Sequence, residues 1–382
     1  LKIPTFLISD RNDFVARSRW VRPIYLHANR FPTVKELTRL FEKLKFDRAV
    51  LFACSDAWTK AVANLDSELS LRFPSSIPSA EIIDIFLNKG KFGKILEQIK
   101  IPHPETIIVE SLATIKNLDK KYFGKYFLKP CNSREFSYLF NKRVFRIYNH
   151  EDALAKFQRI SEAGQSAVLQ EYIPGPPNEH YFIEGFVDRT GTIRAVFARR
   201  RERIYPQYFG DSSYSISVPL REVSEAMENL EKLLKYVGYR GIFGAEFKVD
   251  KRDNLFKIIE VNARPWWYVG FVTQCGMNIC KLAYQDALVL PVNTTTKYKE
   301  GIGCMNTFLD LKVIIKEYKC QKLSIKSWLW EFLASKKPIF SWADPMPAIF
   351  RFFEIAFIYT KKLFCKVVKL INKEKNLRRL SA

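Results

Sequence analysis

The chain has 382 residues, of which 47% are hydrophobic and 27% are charged, and this balance excludes a disordered or fibrous protein. Its length predicts two or three domains of about 100 to 200 residues each, and it contains no run of about 18 apolar residues that would predict a membrane-spanning helix. The formal net charge of +22 favours anionic partners, such as nucleotides, nucleic acid or an anionic membrane surface.

The seven cysteines form neither a Cys-x-x-Cys pair nor a Cys/His cluster with the spacing of a zinc site. This scattered, odd-numbered set indicates reduced thiols and favours a cytoplasmic protein. Nucleic acid is not favoured as the principal partner, because the sequence contains no zinc-finger or RNA-recognition motif, only positive charge.

Residues 1–85 are predicted to form a small α/β domain. Thr5–Ser9 is strand-like, Thr33 begins a capping box before an amphipathic helix, and Ala49–Ala53 has the pattern of a buried strand. A second helical pattern covers residues 57–69. The order strand, helix, strand, helix predicts parallel pairing of the two strands.

Two lysines in the next segment stand at the ends of predicted elements. Lys129 follows the apolar strand Tyr126–Leu128, and a lysine that emerges from a buried strand needs an anionic partner more than a surface lysine does. Lys89 lies at the start of a predicted helix, where a solvated position explains it as well as a functional one. The loop over residues 131–137 contains no glycine, so its backbone is less suited to a close approach to phosphate.

Further elements are predicted between the loop and residue 240. An apolar strand is predicted at Ala167–Glu171, and an ordinary turn would explain the residues near Pro174 that follow it. Asp188–Gly191 has the composition of a hairpin turn. The run over residues 199–203 contains four arginines, and a charge run of this kind is usually a solvated face. Residues 222–237 have the period of an amphipathic helix.

Residues 243–262 have the pattern of two short strands around a polar turn, and the second strand contains an acid in an apolar setting. A buried carboxylate such as Glu260 is costly unless a cation or a hydrogen-bond donor meets it. Asn262 shares its face, because residues two apart in a strand point the same way. A turn centred at Asp253 would place Glu246 directly opposite Glu260.

Two carboxylates and an amide oxygen at one point form a ligand set that suits Mg²⁺, which usually keeps waters and substrate phosphates as its other ligands. Mn²⁺ is an alternative ion. Arg264 follows two residues after Asn262, and its planar guanidinium suits a phosphate oxygen. The structural alternative is an ordinary hairpin whose acids meet lysine or arginine.

Glu246, followed by Glu260-Val-Asn262-Ala-Arg264-Pro, resembles the metal-binding hairpin of the ATP-grasp superfamily. Members of this superfamily are mostly ATP-dependent ligases that join a carboxylate to an amine or a thiol. The resemblance implies the α+β ATP-grasp fold, in which two α+β subdomains clamp ATP. It implies a small pre-ATP-grasp α/β domain over residues 1–85, the N-terminal subdomain over 86–165, the C-terminal subdomain with the metal hairpin over 166–290, and a basic C-terminal extension over 291–382.

The resemblance also assigns phosphate contacts. In ATP-grasp proteins two lysines contact the phosphates, and the matching positions in this chain are Lys89 and Lys129. Ser133, Arg134 and Lys142 would supply side-chain donors where relatives have a glycine-rich loop.

The remaining site residues follow from the same resemblance. The metal ligands would be Glu246, Glu260 and Asn262. The catalytic cations that face the γ-phosphate and the substrate carboxylate would be Arg264 and Arg203. The adenine and ribose would be bound by Gln170, Glu171, Tyr172, Ile173 and Glu179.

The C-terminal segment is strongly basic. Residues 311–382 contain 16 Lys and Arg against 5 Asp and Glu, a net charge of +11. Residues 349–371 are predicted to form an amphipathic helix with Phe350, Phe353 and Phe357 in its apolar stripe. Such a helix suits an anionic membrane interface, so residues 346–382 are predicted to make peripheral membrane contact. Packing against the rest of the chain or a partner subunit explains the stripe equally well.

The sequence therefore predicts an ATP- and Mg²⁺-dependent ligase that joins a small-molecule or peptide carboxylate to an amine through an acyl phosphate. No protein nucleophile is needed, and none is evident among only 4 histidines. The alternative is a nucleotide-binding protein with an ATP-grasp fold and weakened catalysis, tethered to a membrane or another polyanion by its basic tail.

Overall fold

The computed structural model describes residues 3–9, 13–25, 33–130, 139–140, 142–207, 209–317, 324–358 and 360–361. The chain divides into two units, which we name the terminal unit (Leu1–Arg30 with Ile339–Ala382) and the central unit (Phe31–Pro338). The N-terminal segment therefore groups with the C-terminal segment, and not with the helices that follow it in sequence.

The terminal unit contains a parallel pair of strands, β1 (Thr5–Ser9) and β2 (Val21–Tyr25), joined through a short 3-10 helix. Its C-terminal part contributes a helix over residues 346–358. The two segments are linked by a hydrogen bond in which Ser18 Oγ donates to Asp344 Oδ2 at 2.5 Å.

The predicted strand Thr5–Ser9 is confirmed, but the prediction that Ala49–Ala53 is a parallel strand is wrong. Two backbone N–H groups of the latter segment donate instead to the carbonyl oxygens of Arg72 and Pro74, at 3.2 and 2.9 Å. The physical reason is that β1 has a partner, Val21–Tyr25, within its own unit. The apolar segment consequently lacks a neighbouring strand among the described residues.

The central unit begins with helices. The predicted capping box is confirmed: Thr33 Oγ1 accepts from the N–H of Glu36, and Glu36 Oε2 accepts from the N–H of Thr33 at 2.8 Å. The described helices of this unit are α1 (Val34–Lys43), α2 (Asp56–Val62), α3 (Ser67–Arg72), α4 (Ala80–Leu87), α5 (Lys89–Gln98), α6 (Leu112–Lys116), α7 (His150–Glu162), α8 (Ser224–Tyr236), α9 (Val269–Gln274), α10 (Ile279–Ala287), α11 (Thr307–Glu317) and α12 (Ile325–Ala334).

The described strands of the central unit form two antiparallel sheets, one of six strands in the order β11-β10-β7-β8-β9-β12 and one of four strands in the order β3-β6-β4-β5. Their bounds are β3 (Thr106–Val109), β4 (Tyr126–Pro130), β5 (Phe145–Arg146), β6 (Ala167–Glu171), β7 (His180–Val187), β8 (Ile193–Tyr205), β9 (Asp211–Val218), β10 (Gly241–Asp250), β11 (Leu255–Asn262) and β12 (Gly303–Met305).

Both sheets are covered by helices. One face of the six-stranded sheet packs against α4, α5 and α8, with Phe243 and Phe247 fully buried. Its opposite face packs against α9 and α10 around Phe186 and Phe271, while the four-stranded sheet packs against α6 and α7. Side chains at the strand ends are therefore supported by a rigid, close-packed core.

The predicted hairpin turn at Asp188–Gly191 is confirmed, since it joins β7 to β8, and the helix predicted over residues 222–237 is α8. In the part of the chain that the structure describes, no helix combines the length and the apolar character needed to cross a membrane.

Candidate functional site

A cavity of about 1010 Å³ in the central unit is lined by residues of both sheets. Most of the site residues predicted from the sequence line it, although they come from segments that are far apart in the chain. These lining residues are Lys89, Lys129, Gln170, Glu171, Tyr172, Ile173, Glu246, Glu260, Asn262 and Arg264.

The hairpin of β10 and β11 has the predicted register. Glu246 lies directly opposite Glu260, and Gly244 lies opposite Asn262. A bulge follows Glu246, so the pairs on the turn side of this point are shifted by one residue, with Phe247 opposite Ile258. The two carboxylates and the amide are thus brought to one end of the hairpin, at the cavity.

Glu246 is held by a chain of hydrogen bonds. His180 Nε2 lies 3.0 Å from Glu246 Oε2, and His180 Nδ1 lies 3.0 Å from Nη1 of Arg201. Arginine can only donate, so Nδ1 accepts and the proton sits on Nε2, which donates to the carboxylate. Burial, together with the charge of Arg201, holds the pKa of His180 well below its usual range, so the ring is neutral.

Lys129 connects the two sheets across the cavity. It lies on β4 of the four-stranded sheet, and its Nζ is 4.0 Å from Glu260 Oε2 on β11 and 3.4 Å from Gln170 Oε1. Gln170 is buried and donates in turn to Thr106 Oγ1 at 3.1 Å. Among the described residues, Lys129 is therefore the lysine or arginine that comes nearest to Glu260.

Lys89 is buried at the first turn of α5. The preceding residue, Asn88, caps this helix by accepting from the N–H groups of Gly90 and Lys91, at 3.0 and 3.1 Å. The cap and the helix fix the backbone of Lys89 beside the cavity.

The predicted adenine and ribose residues lie along the segment that follows β6. Glu171 is already engaged, since its Oε1 is 2.5 Å from Arg252 Nη2 and its Oε2 accepts from the N–H of Glu105 at 3.3 Å. Tyr172 and Ile173 line the cavity. Ile173 is buried, and the ring of Tyr172 lies 5.7 Å from Lys248 Nζ.

Glu179 lies behind the turn at Gly175 and is not among the residues that line the cavity. Its Oε1 is 3.4 Å from Lys251 Nζ, whereas its Oε2 is buried without a hydrogen-bond partner among the described residues. Gly175 has a φ of 127°, a backbone conformation that residues with a side chain rarely adopt, so glycine is favoured here.

The prediction that Arg203 faces the cavity is wrong. Its guanidinium is buried and binds Asp310 Oδ2 at 2.8 Å through Nη2 and Glu331 Oε2 at 2.5 Å through Nη1. The strand β8 bulges between Arg201 and Arg203, which changes the direction of the side chains that follow. Arg201, two residues earlier, lines the cavity in its place.

Lys142 is also not among the lining residues. It is exposed, with its Nζ 5.7 Å from the centre of the Phe145 ring. The next residue, Arg143, lines the cavity and pairs with Asp211 at 2.8 Å. The loop predicted to cover the phosphates, with Ser133 and Arg134, lies outside the described residues.

Arg264 connects the hairpin to the helices of the central unit. Its Nη2 donates to Asn262 Oδ1 at 3.0 Å, and its Nε donates to Asp56 of α2. An amide oxygen has two lone pairs, so Asn262 can accept this bond and still offer a ligand.

The arrangement can be compared with those of known proteins. No protein-family model matches the chain. The chain is 24% identical over 265 residues to the D-aspartate ligase of Enterococcus faecium, and the match covers 66% of this chain and 62% of that relative. The chain thus spans less than two thirds of this relative's length.

Two solved structures share the architecture at 16% identity. The N5-carboxyaminoimidazole synthetase of Staphylococcus aureus, complexed with ADP, has a TM-score of 0.61 and covers 84% of this chain and 79% of its own. The biotin carboxylase domain of the Hydrogenobacter thermophilus 2-oxoglutarate carboxylase, with MgADP and bicarbonate, has a TM-score of 0.61, with 78% and 67% covered. This chain has the ATP-grasp fold.

The carboxylate and amide oxygens of the ATP-grasp cavity are ligands that suit a magnesium-bound nucleotide. Among the described residues, no group of three or more His, Cys, Asp and Glu side chains could hold a metal alone. Two carboxylates and one amide therefore need further oxygen ligands, which the phosphates of a nucleotide can supply to Mg²⁺.

Sequence reasoning missed several polar residues of this ATP-grasp cavity, among them His180, Arg201 and Lys248. Lys248 Nζ donates to the carbonyl of Gly175 at 3.0 Å, and its pKa is lowered to about 8 by burial and by Arg201. Lys248 follows Glu246 by two residues, so the alternation of the strand was a signal that could have placed it on the same face. His180 had no such signal, because its partner lies on another strand.

Proposed function

We propose that the chain is an ATP- and Mg²⁺-dependent ligase that joins a carboxylate to an amine through an acyl phosphate. One observation supports this most directly: Glu246 and Glu260 oppose each other at the cavity, and Lys129 approaches from the other sheet, 4.0 Å from Glu260. The D-aspartate ligase that the chain resembles is, by its name, also a ligase.

In this proposal the two sheets hold ATP between them. Lys89 and Lys129 bind the phosphates, while Gln170, Glu171, Tyr172 and Ile173 surround the adenine and ribose. The ribose contact of Glu179 stays a prediction, because Glu179 does not line the cavity. Mg²⁺, or Mn²⁺ as an alternative, would be held by Glu246, Glu260 and Asn262 and would neutralise charge on the phosphates.

The reaction would have two steps. A substrate carboxylate oxygen attacks the γ-phosphorus of ATP, the bond from this phosphorus to the β,γ-bridging oxygen breaks, and ADP leaves. The amine nitrogen then attacks the acyl carbon, and the bond from this carbon to the phosphate oxygen breaks. The nitrogen loses a proton to solvent, and an amide and inorganic phosphate result.

The chain's own contribution would be positioning and electrostatics. Arg264, tied to Asn262 and Asp56, would offset the charge on the transferred phosphoryl group. Arg201, which lines the cavity, takes the role predicted for Arg203. His180 would keep Glu246 oriented through its Nε2–H.

The proposed substrates are small-molecule or peptide carboxylates and amines. We also propose a cytoplasmic protein that contacts an anionic membrane peripherally through residues 346–382. The net charge of +11 over residues 311–382 supports this contact.

The test is a screen of amino and carboxylic acids for those that stimulate ADP formation, followed by mass spectrometry of the product. With the best pair, Glu260→Ala is expected to reduce ADP formation about 100-fold or more, because a metal ligand is lost. Glu225→Ala is a matched control, since Glu225 is an exposed acid on α8. Unimpaired ADP formation in the Glu260→Ala variant would refute the metal assignment.

A further inference from the structure

The helix over residues 346–358 of the terminal unit presents its apolar side to solvent. We name this side the aromatic face; it comprises Met346, Ile349, Phe350, Phe353 and Phe357, spaced three or four residues apart. Phe353 is 64% exposed and Phe357 is 70% exposed. Because residues at this spacing lie on one side of a helix, they form a continuous stripe.

The opposite side of the same helix is the less exposed one, and the residues described there carry no aromatic ring. Pro347 is buried, and Ala348, Arg351 and Ile355 are partly buried. A helix that packs in a globular core normally turns its large apolar side chains inward. The reversed orientation indicates that the aromatic face has a partner outside the described residues.

Two exposed tryptophans lie close in sequence to the hydrogen bond that joins the two segments of the terminal unit. Trp342 is 89% exposed and Trp20 is 62% exposed. They belong to the two segments that the hydrogen bond from Ser18 to Asp344 joins, each two residues from the bond. Tryptophan is enriched where one end of its ring system meets lipid and the other meets water.

Two arginines lie beside these rings. The guanidinium of Arg17 lies 4.6 Å from the ring centre of Phe350, and that of Arg19 lies 5.0 Å from the ring centre of Trp20. Over Leu1–Arg30 and Ile339–Ala382 the sequence contains 15 Lys and Arg against 5 Asp and Glu, a net charge of +10. By their net charge, two copies of these segments would repel each other, whereas an anionic layer would attract them.

We propose that the aromatic face, with Trp20 and Trp342, inserts into the headgroup region of an anionic lipid bilayer while the surrounding arginines bind lipid phosphates. This assigns a surface to the membrane contact proposed above and adds the N-terminal segment to it. The contact is peripheral, and it does not depend on the ligase chemistry. A duplex nucleic acid would match the charge but would leave the aliphatic and phenyl side chains uncovered.

The experiment measures binding of the full chain to vesicles of phosphatidylcholine with about 30% phosphatidylglycerol, and to pure phosphatidylcholine vesicles, by co-sedimentation. Binding to the anionic vesicles is expected to be at least about 10-fold tighter, and to weaken at about 0.5 M NaCl as charges are screened. Trp342→Ser/Phe353→Ser/Phe357→Ser is expected to weaken it at least about 10-fold.

A matched control is Leu71→Ser/Tyr236→Ser, which removes two exposed apolar side chains of the central unit. It is expected to leave vesicle binding unchanged, and neither variant should change the circular dichroism spectrum or ADP formation without vesicles. Three outcomes would overturn the proposal. The first is equal vesicle binding by the triple variant and the parent chain. The second is a parent chain that binds no vesicles and a triple variant that shifts from dimer to monomer, and the third is a triple variant that loses binding only to a duplex DNA probe.

Discussion

Two groups of charged side chains on the six-stranded sheet, one buried and one partly exposed, differ in how completely they are neutralised. In the first, which we name the closed group, the guanidinium of Arg203 is paired with Asp310 and Glu331 at 2.8 and 2.5 Å, and Trp328 Nε1 donates to Asp310 at 2.7 Å. In the second, which we name the open group, Glu246 and Glu260 share one end of a hairpin, and the nearest lysine and arginine, Lys129 and Arg201, are each 4.0 Å away.

The difference indicates which group is available to a ligand. A buried ion pair whose donors and acceptors are all satisfied offers no free coordination, and removing one partner leaves an uncompensated charge. Two like charges at a cavity with only distant counter-charges can instead accept a cation. Complete pairing of charges therefore distinguishes the closed group, which stabilises the fold, from the open group, which is suited to binding a cation.

The largest effect is expected from removing the guanidinium of the closed group. Arg203→Met leaves Asp310 buried without its cation, and we expect a loss of about 3–5 kcal/mol in the free energy of unfolding. Urea unfolding measures this change. Activity per folded molecule should stay near that of the parent chain, because Arg203 does not reach the cavity.

The control for this variant is Arg200→Met, on the same strand. Arg200 pairs with Glu202 and Glu222 at 2.8 and 3.3 Å near the surface, so its loss should cost less than about 1 kcal/mol. If Arg203→Met were as mild, the closed group would not be a stability element.

A smaller effect is expected at the open group. His180→Asn removes the hydrogen bond that orients Glu246, and we expect the Mg²⁺ concentration for half-maximal ADP formation to rise about 10-fold. The free energy of unfolding should change less than in Arg203→Met. His150→Asn is the control, because His150 bonds the carbonyl of Leu118 at 2.8 Å. An unchanged Mg²⁺ requirement in His180→Asn would contradict the positioning role.

The smallest effect is expected at a third, closed pair, Asp188 with Arg194 at 2.6 Å. Burial alone would raise the pKa of Asp188, but hydrogen bonds from Thr190 and Arg194 outweigh it and lower the pKa from 3.8 to about 2. The folded state therefore gains stability above pH 3.8 that is lost as pH falls towards 2.

Asp188→Asn should remove this pH-dependent term, which is on the order of 1 kcal/mol because the partner Arg194 is partly open to solvent. Urea unfolding of both proteins between about pH 5 and pH 3 measures it: their difference in free energy of unfolding should shrink as pH falls. A constant difference would show that the ionised form of Asp188 adds no stability.

The sequence determined the metal hairpin well, because its evidence is local. Alternation along a strand and the position of one turn predicted the hairpin, and the structure pairs Glu246 with Glu260. A bulge beside Glu246, which the sequence did not predict, supplies the last one-residue shift of this register. The capping box at Thr33 and the turn at Asp188–Gly191 were determined for the same reason: each depends on residues within a few positions of one another.

Tertiary structure alone decided the features that depend on distant segments. A bulge in β8 turned Arg203 towards Asp310, 107 residues away, and His180 reached Glu246, 66 residues away. The pairing of Thr5–Ser9 and the grouping of the two chain ends likewise depend on which surfaces meet after folding. Local periodicity contains no information on these contacts, because long-range packing and not neighbouring residues selects the partner.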